Sequence, residues 1–350
     1  MVNRGPLLVR ADASTALGTG HLMRCLALAQ RWRDSGGQVI FLSVCDSDAL
    51  RRSVQQESAE FVAATATIGS DADATEVIRL ARQHSAPWVV IDGYNFGAAY
   101  QQTIKRAGMR LLTIDDTGEA APYCADIVLN QNITANESLY EQREPHTKLL
   151  LGTNYVLLRR EFTSRMGQRR QLPPKAHRLL VTMGGSDPEN VMEKILRGLH
   201  QCRALKLEVR AIIGAANPHV KSLRTVARES GLEICLEEKV ADMSAMMAWA
   251  DVAISAAGTT LWELAFMGVP VITVEVADHQ RPIGAAAAQR RVSVNLGWHA
   301  SLAEAAIAEK VRELVRDGDR RRQMSERGQR LVDGRGASRV LEQLLAASGQ

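Results

Sequence analysis

The sequence lacks several features that would each point to a particular class of protein. It has no C-x-x-C pair among its 5 cysteines, no histidine pair at H-x-x-H spacing and no apolar run of about 18 residues. The scattered, odd number of cysteines indicates reduced core thiols in a cytoplasmic protein. Neither a bound metal nor a membrane span is therefore expected. The chain also begins without an apolar signal segment, which agrees with a cytoplasmic location.

Charge of one sign is not concentrated anywhere along the chain. The net charge of +4 is not gathered into a basic block, so nucleic acid is not expected as a partner, whereas an anionic small molecule suits this charge. The hydrophobic fraction of 46% and the charged fraction of 23% are typical of a globular protein. A chain of 350 residues exceeds one ordinary α/β core. We therefore expect two domains of comparable size, with a cleft between them.

Short β-branched runs alternate with helical stretches along the chain, which is the pattern of a parallel sheet. The expected strands are Leu7–Val9, Val39–Ser43, Trp88–Asp92, Arg110–Asp115, Asp126–Asn130, Leu149–Leu151, Leu179–Met183, Glu208–Ile213, Glu233–Leu236, Asp251–Ser255 and Val269–Val276. The polar segment Arg165–Lys175 interrupts the alternation, so we place the boundary there, with domains 1–170 and 171–350. The pattern predicts an α/β fold of two doubly wound, Rossmann-like domains, with ligands beyond the carboxyl ends of the strands.

The loop after the first expected strand places His21 at the start of a helix, directly after Gly18 and Gly20. The helix is indicated by apolar residues at helical spacing: Leu22, Cys25, Leu26, Ala29 and Trp32. The positive end of the helix dipole opposes protonation of an imidazole, so His21 would stay neutral near pH 7 and accept a proton. Most histidines at helix starts do no chemistry, and a structural role stays open. The spacing G-x-G-H lacks the third glycine of a dinucleotide fingerprint, so a nicotinamide site is not expected.

Two loops in the second half of the chain are suited to a phosphate. Gly184–Ser186 and Gly258–Thr260 each follow an expected strand and precede a helix. Glycine lets the backbone approach a phosphate, and the helix dipole favours the anion. Glu263, one turn further, would accept hydrogen bonds from a ribose diol. Each loop also has a structural interpretation: Asp187-Pro188 forms an N-cap with proline at the first helical position, and Thr260 forms a capping box with Glu263.

Further polar residues follow expected strands. Asp92 and Tyr94 follow one strand of the first half, and Asp115-Asp116 follow the next. Sugar hydroxyls and amides would bind at such positions, although turn formation and helix capping by aspartate explain them equally well. In the second half, Glu275–Gln280 places polar groups at another strand end.

Several motifs in one order resemble a known family. They are Arg10-Ala11-Asp12, Gly18-Thr19-Gly20-His21, Asn130-Gln131-Asn132, Leu151–Arg159 and Gly258–Ala265. Over residues 4 to 300 the chain resembles the UDP-sugar hydrolases of pseudaminic acid biosynthesis, and its second half resembles the nucleotide-binding domain of the GT-B superfamily. The resemblance implies a GT-B fold and hydrolysis of a UDP-linked 2,4-diacetamido-2,4,6-trideoxy sugar of L-altropyranose configuration to free sugar and UDP.

The resemblance also implies a role for individual positions. His21 would be the general base, and the mechanism we expect is attack of water on the anomeric carbon with inversion. The positions implied for UDP are Gly184, Gly185, Ser186, Lys239, Val240, Gly258, Thr259, Thr260 and Glu263. The positions expected to contact the sugar are Asp12, Gly20, Arg24, Asp92, Tyr94, His279 and Gln280. His279 departs from the family, which usually carries asparagine there. No cofactor and no metal are implied.

The sequence leaves other functions open. A glycosyltransferase of the same fold would transfer the sugar to an acceptor, and a 2-epimerase would keep the nucleotide attached. A catalytically silent nucleotide-sugar sensor would bind UDP without turnover. A differently configured diacetamido sugar, as in legionaminic acid or spore-coat pathways, is a further alternative substrate. The oligomeric state is not determined by the sequence, and a monomer is plausible.

Overall fold

The computed structural model describes residues 4–14, 18–57, 59–238 and 240–348, and the chain divides into two compact units. The first unit contains the residues up to Arg160 together with those from Arg335 onwards, and the second is Glu161–Gly334. Each unit is built around its own parallel sheet.

The first unit has a sheet of seven strands in the order β3-β2-β1-β4-β5-β6-β7. Its strands are β1 (Arg4–Ala11), β2 (Gly37–Ser43), β3 (Glu60–Ala63), β4 (Trp88–Asp92), β5 (Leu111–Ile114), β6 (Ile127–Asn130) and β7 (Lys148–Leu151). All neighbouring strands run parallel. The helices that connect the first strands are α1 (Gly20–Asp34), α2 (Asp48–Gln56), α3 (Asp71–Gln83) and α4 (Ala98–Arg106). All five residues of β4 are buried, as expected for a central strand covered on both faces.

The order of the strands reverses between β1 and β4 in the first unit. From β1 the chain continues to β2 and β3 on one side, and β4 then starts the other side. Ala11 is paired with Asp92 at the carboxyl ends of these two strands. In open α/β sheets, ligands bind in the crevice formed where the strand order reverses. The residues that follow β1 and β4 therefore lie at the expected ligand position of this unit.

The second unit has a sheet of six parallel strands in the order β10-β9-β8-β11-β12-β13. Its strands are β8 (Arg178–Thr182), β9 (Glu208–Ile213), β10 (Glu233–Glu238), β11 (Val252–Ala256), β12 (Val271–Glu275) and β13 (Ser293–Trp298). Here the order reverses between β8 and β11, where Thr182 pairs with Ser255. The two glycine-containing loops follow these two strands and thus lie side by side at the carboxyl edge.

The remaining helices follow in chain order. They are α5 (Arg160–Thr163), α6 (Val191–Leu199), α7 (Val220–Glu229), α8 (Met243–Trp249), α9 (Thr259–Phe266), α10 (Gln280–Gln289), α11 (Glu304–Arg316), α12 (Gly318–Leu331) and α13 (Gly336–Ser348). Short 3₁₀ turns occupy Glu137–Tyr140, Thr153–Tyr155, His200–Leu205 and His299–Ser301. These elements confirm the predicted α/β class with two doubly wound, Rossmann-like sheets.

The division into units differs from the predicted boundary at residues 170 and 171. The segment around Arg165 lies within the second unit, where the Nε atom of Arg165 donates to Ser244 Oγ at 2.9 Å. Helix α13 joins the first unit instead, because Leu344 is buried in the apolar cluster of that unit and its carbonyl accepts from Trp88 Nε1 at 3.1 Å. Helical periodicity predicts an apolar face but does not specify which sheet that face covers.

All five cysteines lie within the described ranges and carry free thiols. Cys25, Cys45 and Cys202 are buried, as expected for core residues. Cys235 is exposed and Cys124 is only partly buried, so the prediction of a core position is wrong for Cys235. The reason is that Cys235 lies on β10, which forms one edge of the second sheet. Over the described residues, no helix combines the length and the apolar character that crossing a membrane requires.

Candidate functional site

His21 and Asp92 meet where the strand order of the first sheet reverses. His21 is the second residue of α1, and Asp92 is the last residue of β4. The Nδ1 atom of His21 lies 2.7 Å from Asp92 Oδ1. The Asp92 side chain is fully buried, whereas that of His21 keeps 11% of its surface exposed. The imidazole is therefore bonded to a buried carboxylate on one side and reaches solvent on the other.

The charge of Asp92 determines which nitrogen of His21 carries the proton. Burial alone would raise the pKa of Asp92, but the guanidinium of Arg24 and the imidazole of His21 outweigh burial and hold that pKa below its usual range. An ionised carboxylate only accepts hydrogen bonds, so Nδ1 of His21 must donate. The lone pair of the imidazole is then on Nε2. This is the arrangement in which a histidine serves as a general base and the aspartate stabilises the imidazolium that forms.

Arg24 holds Asp92 from the other side. Its Nε atom donates to Asp92 Oδ2 and its Nη2 atom to Asp92 Oδ1, both at 2.7 Å. The same guanidinium donates from Nη1 and Nη2 to the two oxygens of Asp116, at 2.8 and 2.9 Å. Two forked contacts of this kind restrict the orientation of both carboxylates. Arg24 is buried, and its charge is paired with both aspartates.

Asp116 connects this cluster to two more residues. Asn132 Nδ2 donates to Asp116 Oδ1 at 2.6 Å, and the Tyr94 hydroxyl lies 3.4 Å from Asp116 Oδ2. Burial opposes ionisation of Asp116, yet Arg24 keeps the pKa of this carboxyl well below its usual range. The Tyr94 ring stands edge-on to His21 with the ring centroids 4.9 Å apart, and half of its surface is exposed. Tyr94 thus presents an aromatic surface beside the imidazole.

The structure gives Asp12 and Arg24 different surroundings from those expected of sugar-binding residues. Asp12 is buried, where it forms an ion pair with Arg10 and accepts from the backbone N–H of Val44 at 2.7 Å. Arg10 also pairs with Asp73 at 2.8 Å. These contacts tie the end of β1 to β2 and α3. Gly20, by contrast, is partly exposed at the first position of α1, beside His21.

In the second unit, the loop Gly184–Ser186 leads to α6, whose N-terminus is already capped. The carboxylate of Asp187 accepts from the backbone N–H groups of Val191 and Met192 at 2.9 and 3.0 Å. Pro188 is not the first helical residue, because α6 begins only at Val191. The expectation of proline at the first helical position is therefore wrong, although Asp187 does cap the helix. The N–H groups of Val191 and Met192 therefore already have an acceptor.

The N-terminus of α9 differs from that of α6. Its N-cap is Gly258, which has no side chain to accept from the first turn, and Thr259 and Thr260 are partly exposed. A capping box between Thr260 and Glu263 is not formed in the predicted register, because Thr260 is already the second helical residue. The first N–H groups of α9 point along the helix axis towards the carboxyl edge of the sheet, where they favour an anion.

Gln280 lies against the same loop. Its Oε1 atom accepts from the Val276 N–H at 3.1 Å, and its Nε2 atom would be 3.3 Å from a Cβ atom added to Gly258. Gln280 is buried at the start of α10, and the partly exposed His279 is the N-cap of that helix. The structure therefore brings the loop after β12 together with the loop after β11.

Lys239 and Val240 are also implied for the nucleotide, and β10, which precedes them, is an edge strand of the second sheet. Val240 is partly exposed and follows β10, and Lys239 lies outside the described residues. Glu263 is partly exposed in the second turn of α9. All of these strands are parallel, so each described position follows a strand end at the same edge.

Asn132 belongs to the motif Asn130-Gln131-Asn132, but its contact with Asp116 is visible only in the structure. The position of Asn132, just after β6, is a weak signal, since polar residues at the carboxyl ends of parallel strands converge on one edge. Within the described ranges, no group of three or more histidine, cysteine, aspartate or glutamate side chains is arranged to hold a metal ion.

The chain is similar in sequence to several known proteins. Residues 179–338 match the model of the glycosyltransferase family 28 C-terminal domain. The chain is 27% identical to the UDP-2,4-diacetamido-2,4,6-trideoxy-beta-L-altropyranose hydrolase of Campylobacter jejuni, over 63% of this chain and 74% of that protein. It is 26% identical to the spore coat polysaccharide biosynthesis protein SpsG of Bacillus subtilis, over 56% of this chain and 57% of that protein.

A third relative is an uncharacterized protein of Methanocaldococcus jannaschii, which is 22% identical over 79% of this chain. The alignments span 56% of the length of this archaeal protein and 57% of that of SpsG, little more than half of each. Taken together, the relatives and the family model confirm the resemblance that the sequence motifs indicate.

Solved structures confirm the GT-B fold. Acinetobacter baumannii MurG aligns with a TM-score of 0.65 at 13% identity, over 97% of this chain and 99% of that one. The calicheamicin glycosyltransferase CalG4 aligns with a TM-score of 0.64 at 17% identity, over 100% and 99%. S. aureus MnaA, solved with UDP, aligns with a TM-score of 0.67 at 12% identity, over 96% and 95%.

Proposed function

We propose that this chain is an enzyme that acts on a nucleotide sugar and, more specifically, hydrolyses a UDP-linked 2,4-diacetamido-2,4,6-trideoxy sugar to free sugar and UDP. The observation that carries the proposal is the contact of 2.7 Å between His21 Nδ1 and Asp92 Oδ1 at the carboxyl edge of the first sheet. Hydrolysis needs a base that can deprotonate water, and this pair leaves Nε2 as the basic atom. The choice of sugar rests on the relative from C. jejuni.

In the proposed reaction, His21 Nε2 takes a proton from a water molecule whose oxygen attacks the anomeric carbon. The bond between that carbon and the diphosphate oxygen breaks, and its electron pair stays on UDP. Attack from the face opposite UDP inverts the anomeric configuration. A general base of this kind contributes about 10²- to 10⁴-fold in rate. Asp92 then stabilises the imidazolium that His21 becomes.

The second unit supplies the groups that we assign to UDP. The N-terminus of α9 lacks a capping side chain, so its N–H groups and the hydroxyls of Thr259 and Thr260 are suited to a diphosphate that gains charge as the bond breaks. Gly184–Ser186 lies beside this loop at the point where the strand order reverses. We assign Glu263 to the ribose. We assign the backbone near Lys239 and Val240 to the uracil.

Sugar contacts are assigned to exposed residues rather than to the buried aspartates. Tyr94 presents an exposed ring beside His21, and Gly20 leaves room next to it. In the second unit, His279 and Gln280 follow β12. We therefore propose that Asp92 and Arg24 act by holding His21, and that Asp12 stabilises the end of β1.

A variant of His21 tests the proposal. In His21→Asn, the release of UDP from the UDP-sugar should fall by at least about 10²-fold, while the Kd for UDP measured by calorimetry stays the same. His84→Asn is the matched control, because His84 is a partly exposed histidine of the same unit that caps the end of α3. Turnover of His21→Asn within a few-fold of the unmodified protein would rule out His21 as the base.

A glycosyltransferase is the second candidate, favoured by the family 28 match of residues 179–338. The same His21–Asp92 pair would then deprotonate an acceptor hydroxyl instead of water. Incubation of the purified protein with the UDP-sugar alone separates the two: release of UDP and inverted free sugar without acceptor favours hydrolysis. UDP released only after an acceptor is added favours transfer, and tight UDP binding with no turnover of either kind indicates a binding protein.

A further inference from the structure

A cavity of about 620 Å³ in the second unit lies between one face of α12 and the segment that precedes β8. Arg322, Glu326 and Arg330 are spaced four residues apart on α12, so they lie on the same face of the helix. Among the described residues, the charged side chains that line this α12 cavity are four arginines and one glutamate: Arg169, Arg170, Arg322, Arg330 and Glu326. Two distant segments of the chain therefore gather positive charge around one cavity.

The two arginines of the segment before β8 have no carboxylate partner among the described residues. Arg169 is exposed, and no described residue forms an ion pair with it. Arg170 donates only to carbonyl groups: to Met247 at 3.0 Å and to Ala248 and Met267 at 3.4 Å. Its Nε atom is buried without an acceptor. Burial lowers the pKa of Arg170 to about 10, which leaves the guanidinium charged near pH 7.

The two arginines of α12 have only weak partners. Arg322 pairs with Asp319, and Arg330 lies 4.0 Å from Glu326. More than half of each of these four side chains is exposed. Ion pairs in such positions contribute little to stability, because water and salt screen them. An anion in the cavity can therefore use both guanidinium groups at little cost.

The α12 cavity lies away from the loops that we assign to UDP. A second cavity of about 260 Å³ shares Arg169 and Arg170 with it and is also lined by Arg178 and Asp251. Arg178 begins β8 and Asp251 directly precedes β11, so both cavities lie at the amino edge of the second sheet. The carboxylate of Asp251 already accepts from the backbone N–H groups of His177 and Arg178. The loops assigned to UDP follow the strands, at the carboxyl edge.

We propose that the α12 cavity binds a small, multiply charged oxyanion, either a phosphorylated or a polycarboxylated compound. A cleft lined by charge of one sign focuses the electrostatic potential and concentrates counter-ions. Guanidinium groups match the oxygens of phosphate and carboxylate with paired hydrogen bonds. The volume lies within the range of about 300 to 1,000 Å³ found for small-molecule sites, and the concave shape suits a small ligand. This site does not depend on the proposed function.

Calorimetric titration of the whole protein with pyrophosphate, and separately with citrate, tests the inference. A salt concentration of about 0.15 M screens exposed charges that are far apart. In the double variant Arg169→Gln, Arg330→Gln, the Kd of the bound probe should rise at least about ten-fold, because two charged donors are lost. The matched control is Arg224→Gln, Arg228→Gln, which removes two exposed arginines of α7 in the same unit and should leave the Kd unchanged.

Each outcome decides the question. Binding of pyrophosphate alone supports a phosphorylated ligand, binding of citrate alone supports a polycarboxylate, and binding of both supports a general oxyanion site. The inference is overturned if neither probe binds, or if both double variants weaken binding equally. It is also overturned if Gly258→Ala weakens binding and the α12-cavity variant does not, because the probe then occupies the loops assigned to UDP.

A single variant keeps the inference testable if the double variant does not fold. Arg169→Gln removes no ion pair that the described residues form, and it should raise the Kd of the probe at least about three-fold. An unchanged Kd in this variant contradicts the inference. Release of UDP from a UDP-sugar is not part of this measurement, so failure of the proposed function leaves the α12 cavity unaffected.

Discussion

The substitution Asp92→Asn perturbs the His21–Asp92 pair and keeps the size of the side chain at position 92. Both oxygens of Asp92 accept from Arg24, Oδ1 from Nη2 and Oδ2 from Nε, each at 2.7 Å. Whichever way the new amide is placed, its nitrogen faces a donor of Arg24. If that nitrogen replaces Oδ1, it also donates to His21 Nδ1 and moves the ring proton to Nε2. In either placement the negative charge that stabilises the imidazolium is gone.

The expected magnitude follows from these contacts. Loss of the basic tautomer and of the imidazolium partner should lower kcat/KM by about 10²- to 10⁴-fold, which corresponds to about 3 to 5 kcal/mol of transition-state stabilisation. The free energy of unfolding should fall less, by about 1 to 3 kcal/mol. Arg24 loses strong hydrogen bonds to a charged acceptor but keeps its pairing with Asp116.

Three measurements check this prediction. Release of UDP gives kcat/KM, calorimetry with UDP reports on the second unit, and urea denaturation gives the free energy of unfolding. We expect UDP affinity to be unchanged, because the loops assigned to UDP belong to the second unit. Asp126→Asn serves as the control for charge removal. A folded Asp92→Asn protein whose kcat/KM stays within five-fold of the original, taken here as a limit of about 1 kcal/mol, would refute the role of the pair.

Two further predictions concern the loop at Gly258 that we assign to UDP and the stability of the protein at low pH. Gly258→Ala places a Cβ atom 3.3 Å from Gln280 Nε2, where the diphosphate is proposed to approach, so the Kd for UDP should rise about ten-fold in calorimetry. Gly97→Ala is the control and should leave the Kd for UDP unchanged, because Gly97 is the N-cap of α4 and no atom lies within 4 Å of the new Cβ. Equal affinities for UDP in the original protein and both variants would contradict the assignment of Gly258 to the diphosphate. The pKa of Asp116 is depressed, so its ionised form stabilises the fold above the unfolded pKa of about 4, and this stability is lost as the pH falls through the lower folded value. Urea unfolding between pH 5 and pH 2 should therefore show a steeper loss in the original protein than in Asp116→Asn; parallel losses would contradict the shift.

Several central strands were predictable because they are short, mostly apolar runs. Trp88–Asp92 and Glu208–Ile213 have the predicted bounds. The first is apolar up to Asp92, as expected of a strand with both faces covered, whereas Arg210 interrupts the apolar residues of the second. Glu60–Ala63 and Ser293–Trp298 were not predicted. Both are edge strands, with a neighbour on one side only, and their residues are more exposed and more polar. The second also contains a register irregularity next to Gly297, which breaks any alternation.

The candidate site was predictable in its positions and not in its contacts. A loop that ends in a helix start placed His21 correctly, and a strand end placed Asp92, because both are local patterns. Their bond joins residues 71 positions apart, and the pair of Arg24 with Asp92 spans 68 positions. From the sequence alone we therefore expect Asp92 and Arg24 to contact the sugar. In the structure, these two residues form hydrogen bonds to each other.

Local patterns along the chain are enough to predict the α/β class, the positions of most strands and the loops at their carboxyl ends. These follow from hydrophobic periods, glycines and helix starts, which act over a few residues. Two features emerge only from the folded chain: the strand order, which brings the loops after β1 and β4 together, and the burial of Arg24 between two carboxylates. The fold also determines that α13 packs on the first sheet. The physical reason is that a buried charge must find its partner in space, and strand order and register, which no local pattern encodes, determine which distant residue that partner is.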